Sequence, residues 1–488
     1  MSCLLAGVLL RFLTLSQNNN YKLQCSKSFF KAYFSAVVFC LPAFIPLPYV
    51  DIVFYGLGAA FAIISYVTKR TKYKFTKRAR VYVVFPALYI LSPLVPCLFG
   101  CDRYLFSALE LIAVMFSFLP IKLSEITFNR HFERKNKRYI MAAADKFRSS
   151  GTKLIAITGS FGKTSCKNIL YELLSGTFRV AKSEQNYNTP MGVALSINGL
   201  TGDEEYVITE FGARKKGDIT ELCSYFQPDI GIITGVCEQH SGVFGSIHVI
   251  YNEKFQLAKM TKKDGFCAFG NNLYAKRMHR EFVGNKISVG ACEEIYADSI
   301  CRMIGKTSFR LHIREKCREV STVLCGKQAL ENLLLCVTVA DKMGVKAEDI
   351  FDRIERVRQI PHRLEYSYAG GVHILDDGYN SNTVGIRYAL EYLKVYPSPR
   401  IVVAQGVVEL GIKQKKGNIH IGEEIASVAD RVLLVGVNKK AIRSGLRNKN
   451  FKGSIIFCRG INDVRKKLKK RVCPGATVLF QNDLPDIY

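Results

Sequence analysis

Leu154-Ile155-Ala156-Ile157-Thr158-Gly159-Ser160-Phe161-Gly162-Lys163-Thr164-Ser165 reads as a short apolar strand, a turn with two glycines, and the start of a helix. Strand, glycine turn and helix N-terminus together form an anion cradle, because the glycines let backbone N–H groups approach phosphate oxygens and the helix terminus favours negative charge. In such a cradle Lys163 neutralises β- and γ-phosphate charge, and the Thr164 hydroxyl, with Ser165 as a weaker alternative, is a ligand for Mg²⁺. The full-length loop pattern would place a glycine where Ile157 stands, so this is a shortened variant.

Working outward from that loop, β-branched runs alternate with helical patterns from about residue 150 onward. Tyr206-Val207-Ile208-Thr209, Ile230-Gly231-Ile232-Ile233 and Ile401-Val402-Val403 are further strand candidates. The alternation predicts a parallel α/β fold, with a second round starting at Val372-His373-Ile374-Leu375 and running to Thr477-Val478-Leu479-Phe480. A central ATP-binding domain over 149–358 and a Rossmann-like α/β domain over 359–488 are expected. In open parallel sheets ligands gather beyond the carboxyl ends of the strands. Glu210 ends one strand and His240 follows another, so a hard cation shared by Thr164 and Glu210 fits their oxygen chemistry.

Upstream the composition changes. Apolar runs at 33–49, 51–67, 81–99 and 104–121 each approach the ~20 residues that span hydrocarbon, so residues 1–125 are expected to form a membrane region of about four transmembrane helices. Lys69 to Arg80 contains seven basic residues, which by the positive-inside tendency sets that loop and the rest of the chain on the cytoplasmic side. Residues 126–148 read as a basic linker. The expected location is therefore a cell membrane, multi-pass, with the domains from about residue 149 onward in the cytoplasm and membrane lipid as a partner. Glu110 stands inside the fourth run, which keeps a transport or signalling ATPase as a rival reading.

The chain has 488 residues, 69 basic against 41 acidic, and a formal charge of +28. That excess suits nucleotide phosphates, an acidic membrane face or nucleic acid. No aromatic-basic platform or helix-turn-helix pattern accompanies it, so no nucleic-acid partner is expected. The 16 cysteines include no Cys-x-x-Cys pair and read as reduced thiols rather than as a disulfide or zinc framework.

Four segments in this order resemble the Mur ligase family: Thr158 to Ser165, Asn186-Tyr187-Asn188-Thr189-Pro190-Met191-Gly192, Glu210-Phe211-Gly212-Ala213 and His362-Arg363-Leu364-Glu365. Asp376-Asp377-Gly378-Tyr379-Asn380-Ser381-Asn382 and Glu409-Leu410-Gly411 are most similar to the branch that adds D-alanyl-D-alanine to a UDP-linked muramoyl tripeptide. The resemblance implies ATP-dependent amide bond formation through an acyl phosphate, with ATP and two Mg²⁺. It implies nucleotide contacts from Thr158, Gly159, Ser160, Gly162, Lys163, Thr164, Ser165, Asn271, Asn332, Arg363 and Asp377. It implies metal ligation by Thr164, Glu210, His240 and Lys254, the last as a carbamate, with Lys163, Lys254 and His240 as the catalytic set. Asn186, Asn188, Thr189, Tyr379 and Asn380 are the implied substrate contacts.

The implied partners are a nucleotide-sugar peptide, or a related carboxylate acceptor such as a lipid-linked or polyglutamate chain, and D-alanyl-D-alanine or another amine. Two departures stand out: Gly326-Lys327-Gln328-Ala329 replaces a usual His-Asn pair, and Gly406-Val407-Val408 replaces a Gly-Asp-Met run. At the N-terminus, the membrane region is expected in place of the family's UDP-binding domain.

Overall fold

A computed structural model describes residues 77–90 and 118–483 except 185–186, 239–243, 290–293, 380–381 and 409, together with Leu9, Leu13, Ile112 and Phe116. The chain divides into two compact units, Met1–Arg138 and Tyr139–Asp486.

Among the described residues no helix is long and apolar enough to cross a membrane, and this overturns the expected multi-pass membrane location. Of the third apolar run only residues 81–90 are described, and they fall in two short helices, Lys77–Tyr82 and Val84–Ile90. The end of the fourth leads into the helix Leu119–Ser150, 32 residues long and strongly polar. Its length is ample, but its lysines, arginines and glutamates would each have to be desolvated in hydrocarbon. The first two runs lie outside the described residues. In this unit Ser124 donates to the Tyr82 carbonyl at 3.1 Å, the Tyr82 hydroxyl donates to Asn129, and Phe85 stacks on Phe128 at 5.8 Å. The stretch read as a linker, 126–148, is helical throughout. Its last turns bury Ile140, Ala143, Ala144 and Phe147 in a core of the second unit.

The second unit is built on two six-stranded sheets. The central one orders its strands β2 (Val180–Lys182), β3 (Tyr206–Glu210), β1 (Lys153–Thr158), β4 (Ile230–Ile233), β5 (Phe266–Phe269) and β6 (Lys286–Ser288), all parallel. A strand in the middle of such a sheet is covered on both faces and reads as one apolar run. In β1, Leu154 and Ala156 enter one core and Ile155 and Ile157 the other. Helices Lys163–Leu174 and Lys327–Lys342 cover the second face. Leu170, fully buried between them, is expected to cost about 2–5 kcal/mol when replaced by alanine; chemical denaturation checks this.

An antiparallel sheet of β7 (Ile295–Met303), β8 (Lys306–Ile313) and β9 (Lys316–Thr322) interrupts the α/β alternation. The sequence reading did not anticipate it. The second large sheet orders β10 (Glu365–Ala369), β11 (Val372–Tyr379), β15 (Thr477–Asp483), β12 (Arg400–Ala404), β13 (Arg431–Leu434) and β14 (Ser454–Phe457). It is parallel except for the hairpin β10–β11, which makes it mixed. The chain adds β15 between β11 and β12, closing the sheet through its last described strand.

Candidate functional site

The outward order from β1, with β3 on one side and β4 on the other, creates a switch point where loops leave in opposite directions and open a crevice. Register sets what meets there: Ile157 lies opposite Glu210, and Thr158 opposite Ile233. The turn leaving β1 is held by its neighbours. Thr158 Oγ1 donates to the Phe211 carbonyl at 2.8 Å, Ser160 N to the Gly235 carbonyl at 2.8 Å, and Thr234 Oγ1 donates to the Phe161 carbonyl.

Both glycines of the loop are required. Gly162 adopts a left-handed backbone at φ 78°, and a Cβ there would meet Asn332 Oδ1 at 2.6 Å. Gly159, at φ 156°, would place a Cβ 2.0 Å from Thr234 Oγ1. The following helix, Lys163–Leu174, begins at Gly162 with no side-chain cap, so its first N–H groups stay available to an anion. Lys163 Nζ reaches back to the Gly159 carbonyl at 2.7 Å. Burial pushes the Lys163 pKa down, and the facing Glu210 opposes that shift.

Glu210 is 1% exposed and pairs with Lys167 Nζ at 2.9 Å. Lys167, one helical turn beyond Lys163, also donates to Ser183 Oγ at 3.3 Å. Sequence reasoning missed Lys167, although its i+4 spacing from Lys163 puts both on one helix face.

Lys254 lies on the helix Ile247–Met260 and is 3% exposed. Burial first, then repulsion from Lys163, lowers its pKa to about 7, against opposing pulls from Glu253, Cys237 and Asp218. Its neighbour Glu253 fixes the loop after β3 by accepting from Gly217 N at 2.8 Å and Ile219 N at 2.7 Å. The same loop carries Gly212, whose N–H donates to the Asn188 carbonyl at 2.8 Å and whose Cα leaves no space for a Cβ beside the Asn188 side chain. Thr189 caps the helix Pro190–Asn198. His240, Asn186 and Asn380 lie outside the described residues.

Across the crevice, His362 and Leu364 take left-handed backbones at φ 58° and 53°, and they flank Arg363. His362 Nδ1 is 2.8 Å from Asp376 Oδ2, and its backbone N–H donates to Glu365 Oε2 at 3.0 Å. These three side chains bring possible ligand atoms within 4.8 Å of one another. Their mutual hydrogen bonds explain that cluster as a clasp on the turn. The clasp presents Arg363, which donates to the Tyr379 carbonyl at 3.1 Å and lies 4.4 Å from the Tyr379 ring centroid. Burial lowers the Arg363 pKa, and Asp377, Tyr379 and Glu210 oppose the shift. One cavity is bounded by Gly162, Ser165, Asn332, Arg363, Asp377 and Tyr388.

The structure thus brings together Thr158 to Ser165, Glu210, Asn332, Arg363 and Asp377, with Lys254 close enough to Lys163 to feel its charge. Asn271 is exposed at the end of β5. Its neighbour Asn272 does the structural work, accepting from Tyr274 N and Ala275 N and tying the loop to Val236. Lys413 Nζ pairs with Glu238 Oε1 at 2.6 Å, joining the segment after β12 of the second large sheet to the loop after β4.

The groups present suit a magnesium nucleotide: a glycine cradle with no room for side chains, an uncapped helix N-terminus, a lysine at that terminus, and hydroxyl and carboxylate oxygens for a hard cation.

Residues 157–340 match the family model of the Mur ligase middle domain, and 362–481 match that of the Mur ligase C-terminal, glutamate ligase domain. The chain is 25% identical over 297 residues to the UDP-N-acetylmuramoyl-tripeptide--D-alanyl-D-alanine ligase of Escherichia coli, covering 59% of this chain and 66% of that enzyme. It is 28% identical to the Borreliella burgdorferi enzyme of the same name, covering 58% and 62%. The matches therefore span slightly less than two thirds of those two relatives. The MurF structure from Thermotoga maritima in complex with ADP superposes with a TM-score of 0.64 at 24% identity, covering 71% of this chain and 80% of that one. A MurF structure from Acinetobacter baumannii gives 0.65 at 21%, covering 71% and 77%.

Proposed function

Because the chain belongs to the Mur ligases through both its middle and its C-terminal, glutamate ligase domain, we propose that it is an ATP-dependent ligase joining a carboxylate acceptor to an amine. The acceptor is a UDP-N-acetylmuramoyl tripeptide and the amine D-alanyl-D-alanine, in peptidoglycan precursor synthesis. The names of its relatives support that choice of substrates. The observation that carries the ATP half is the cradle of Gly159 and Gly162, where a Cβ would strike Thr234 and Asn332, set ahead of an uncapped helix N-terminus whose N–H groups suit phosphate.

In this reading 149–358 is the ATP-binding domain and 359–488 the domain that closes on it. Thr158, Ser160, Ser165, Asn271, Asn332, Arg363 and Asp377 contact the nucleotide; Asn186, Asn188, Thr189, Tyr379 and Asn380 contact the substrates. Thr164, Glu210, His240 and a carbamate on Lys254 would hold two Mg²⁺, which when bound offset phosphate charge.

An acceptor carboxylate oxygen attacks the γ-phosphorus as the bond to ADP breaks, giving an acyl phosphate. The amine then attacks the acyl carbon, phosphate departs, and the ammonium proton is lost. Lys163 and Arg363 counter the charge that builds on the transferring phosphoryl group. Exclusion of water by the facing domain protects the acyl phosphate from hydrolysis.

The state of Lys254 supports the carbamate. An amine titrating near 7 is about half neutral at pH 7, and only a neutral amine adds CO₂ and releases a proton. Addition converts a cation repelled by Lys163 into an anion attracted to it.

A coupled assay on the full chain checks the reading: ADP release is expected only when a UDP-muramoyl tripeptide and D-alanyl-D-alanine are both present. Equal phosphate release with neither substrate would make it an ATPase and overturn the proposal.

A further inference from the structure

We propose that the cleft beside Thr164, lined by Lys167, Lys182, His362, Arg363 and Tyr379, is an acceptor subsite for a peptide with two neighbouring carboxylates. One is presented for activation at the Thr164 end and the other is read by Lys182. This rests on the ligase reading above.

Position is the first argument. The cleft runs from the phosphate loop to the turn that presents Arg363, so a ligand lying in it has one end beside the transferring phosphoryl group. A second recess shares Asn168, Lys182, Ile360 and Pro361 with it and adds Arg356 and Arg358. The two form one groove with Lys182 at the join, in which Lys167, Lys182, Arg356, Arg358 and Arg363 outnumber Glu172 and Glu184.

Charge is the second argument. Lys167 is already balanced by Glu210 at 2.9 Å. Lys182 is placed differently: its Nζ donates to the amide oxygen of Asn168 at 2.9 Å and lies 4.1 Å from the Tyr171 ring centroid. Among the described residues no carboxylate lies within ion-pair distance of it. Arg356 and Arg358 are exposed in the recess beyond it. Burial and the neighbouring Lys167 both push the Lys182 pKa down, against the pull of Glu172. A half-desolvated cation braced by an amide and a ring, facing an open groove, is the arrangement that an incoming anion stabilises.

The geometry also separates the roles. Lys163 belongs to the phosphate, Lys167 to Glu210, and Arg363 to the junction with Tyr379. Lys182 and Arg358 are left to recognise charge on the acceptor one residue away from its reacting carboxylate. A neutral neighbour would leave Lys182 uncompensated in the groove, which is how a site rejects a ligand lacking the charge it was built for.

The test uses the full chain, ATP, D-alanyl-D-alanine and two acceptor probes. One is UDP-muramoyl tripeptide with its glutamyl α-carboxylate free, and the other the same molecule with that carboxylate amidated. The free form is expected to show an acceptor KM about tenfold lower, the scale of one charge-assisted hydrogen bond. Lys182→Gln is expected to abolish most of that preference and Arg358→Gln to reduce it severalfold, with ADP still raising the unfolding temperature of each variant as evidence of folding. Equal KM values for the two probes in the unmodified protein, or a rise in both KM values by the same factor in Lys182→Gln, would overturn the subsite and leave the ligase reading standing. Turnover with neither probe would overturn the ligase reading itself, and the subsite with it.

Discussion

Lys163→Ala is expected to lower ligase turnover by about 10²- to 10³-fold, the usual cost of deleting one preorganised charge aimed at a transition state. The side chain is held in place, with its ammonium on the Gly159 carbonyl at 2.7 Å and Glu210 facing it. Methionine at this position keeps much of the volume and removes the charge, so Lys163→Met separates packing from electrostatics. Both variants should keep the wild-type unfolding temperature within a few degrees while losing ADP formation. If Lys163→Met retained a tenth of wild-type turnover, the lysine would not be the phosphate's counter-charge and the loop would have to bind some other anion.

Lys254→Ala is expected to cost a comparable factor, about 10²-fold or more, for a different reason. The wild-type lysine is buried and titrates at about 7, so protonation competes with CO₂ for the same nitrogen. At pH 6 most of it is ammonium, the carbamate is disfavoured, and turnover in CO₂-depleted buffer should fall and be restored by added bicarbonate. At pH 8 the amine is mostly neutral and the dependence on bicarbonate should be weaker. The sign follows from the lowered pKa: raising the pH through 7 favours the form that reacts. A bicarbonate effect that persists undiminished in Lys254→Ala, or none in wild type at pH 6, would rule out the carbamate.

How much of this was legible in the sequence differs from element to element. The β1–loop–helix segment was readable because its determinants are adjacent: a buried strand is an unbroken apolar run, a left-handed turn demands Gly162, and the helix starts where the glycine ends. The alternation of strands likewise conveyed the parallel sheets. It failed at β7–β9, where antiparallel pairing interrupts the α/β rhythm, and at β10, whose hairpin with β11 makes the second large sheet mixed. The described part of the third N-terminal apolar run does not form the single long helix expected of a membrane span, because window hydrophobicity registers composition. Whether such a run becomes one long helix depends on where the chain turns, as it does at Val83 between two short helices.

Lys163, Thr164 and Glu210 could be singled out as residues, yet the sequence by itself determined only their types and spacing. Tertiary structure decided the partners: Lys167 against Glu210, Asn332 against Gly162, Glu253 under the Gly217–Ile219 turn, and the His362 clasp around Arg363. Asn332 stands 170 positions from Gly162. No local propensity encodes such a contact, because it arises only when two helices are packed on the same sheet face. The same holds for Lys254, an ordinary lysine by composition whose pKa falls to about 7 only because folding removes its water and sets it near Lys163. The shortened phosphate loop was thus written in the chain, and the charge pattern that makes it a site was written in the packing.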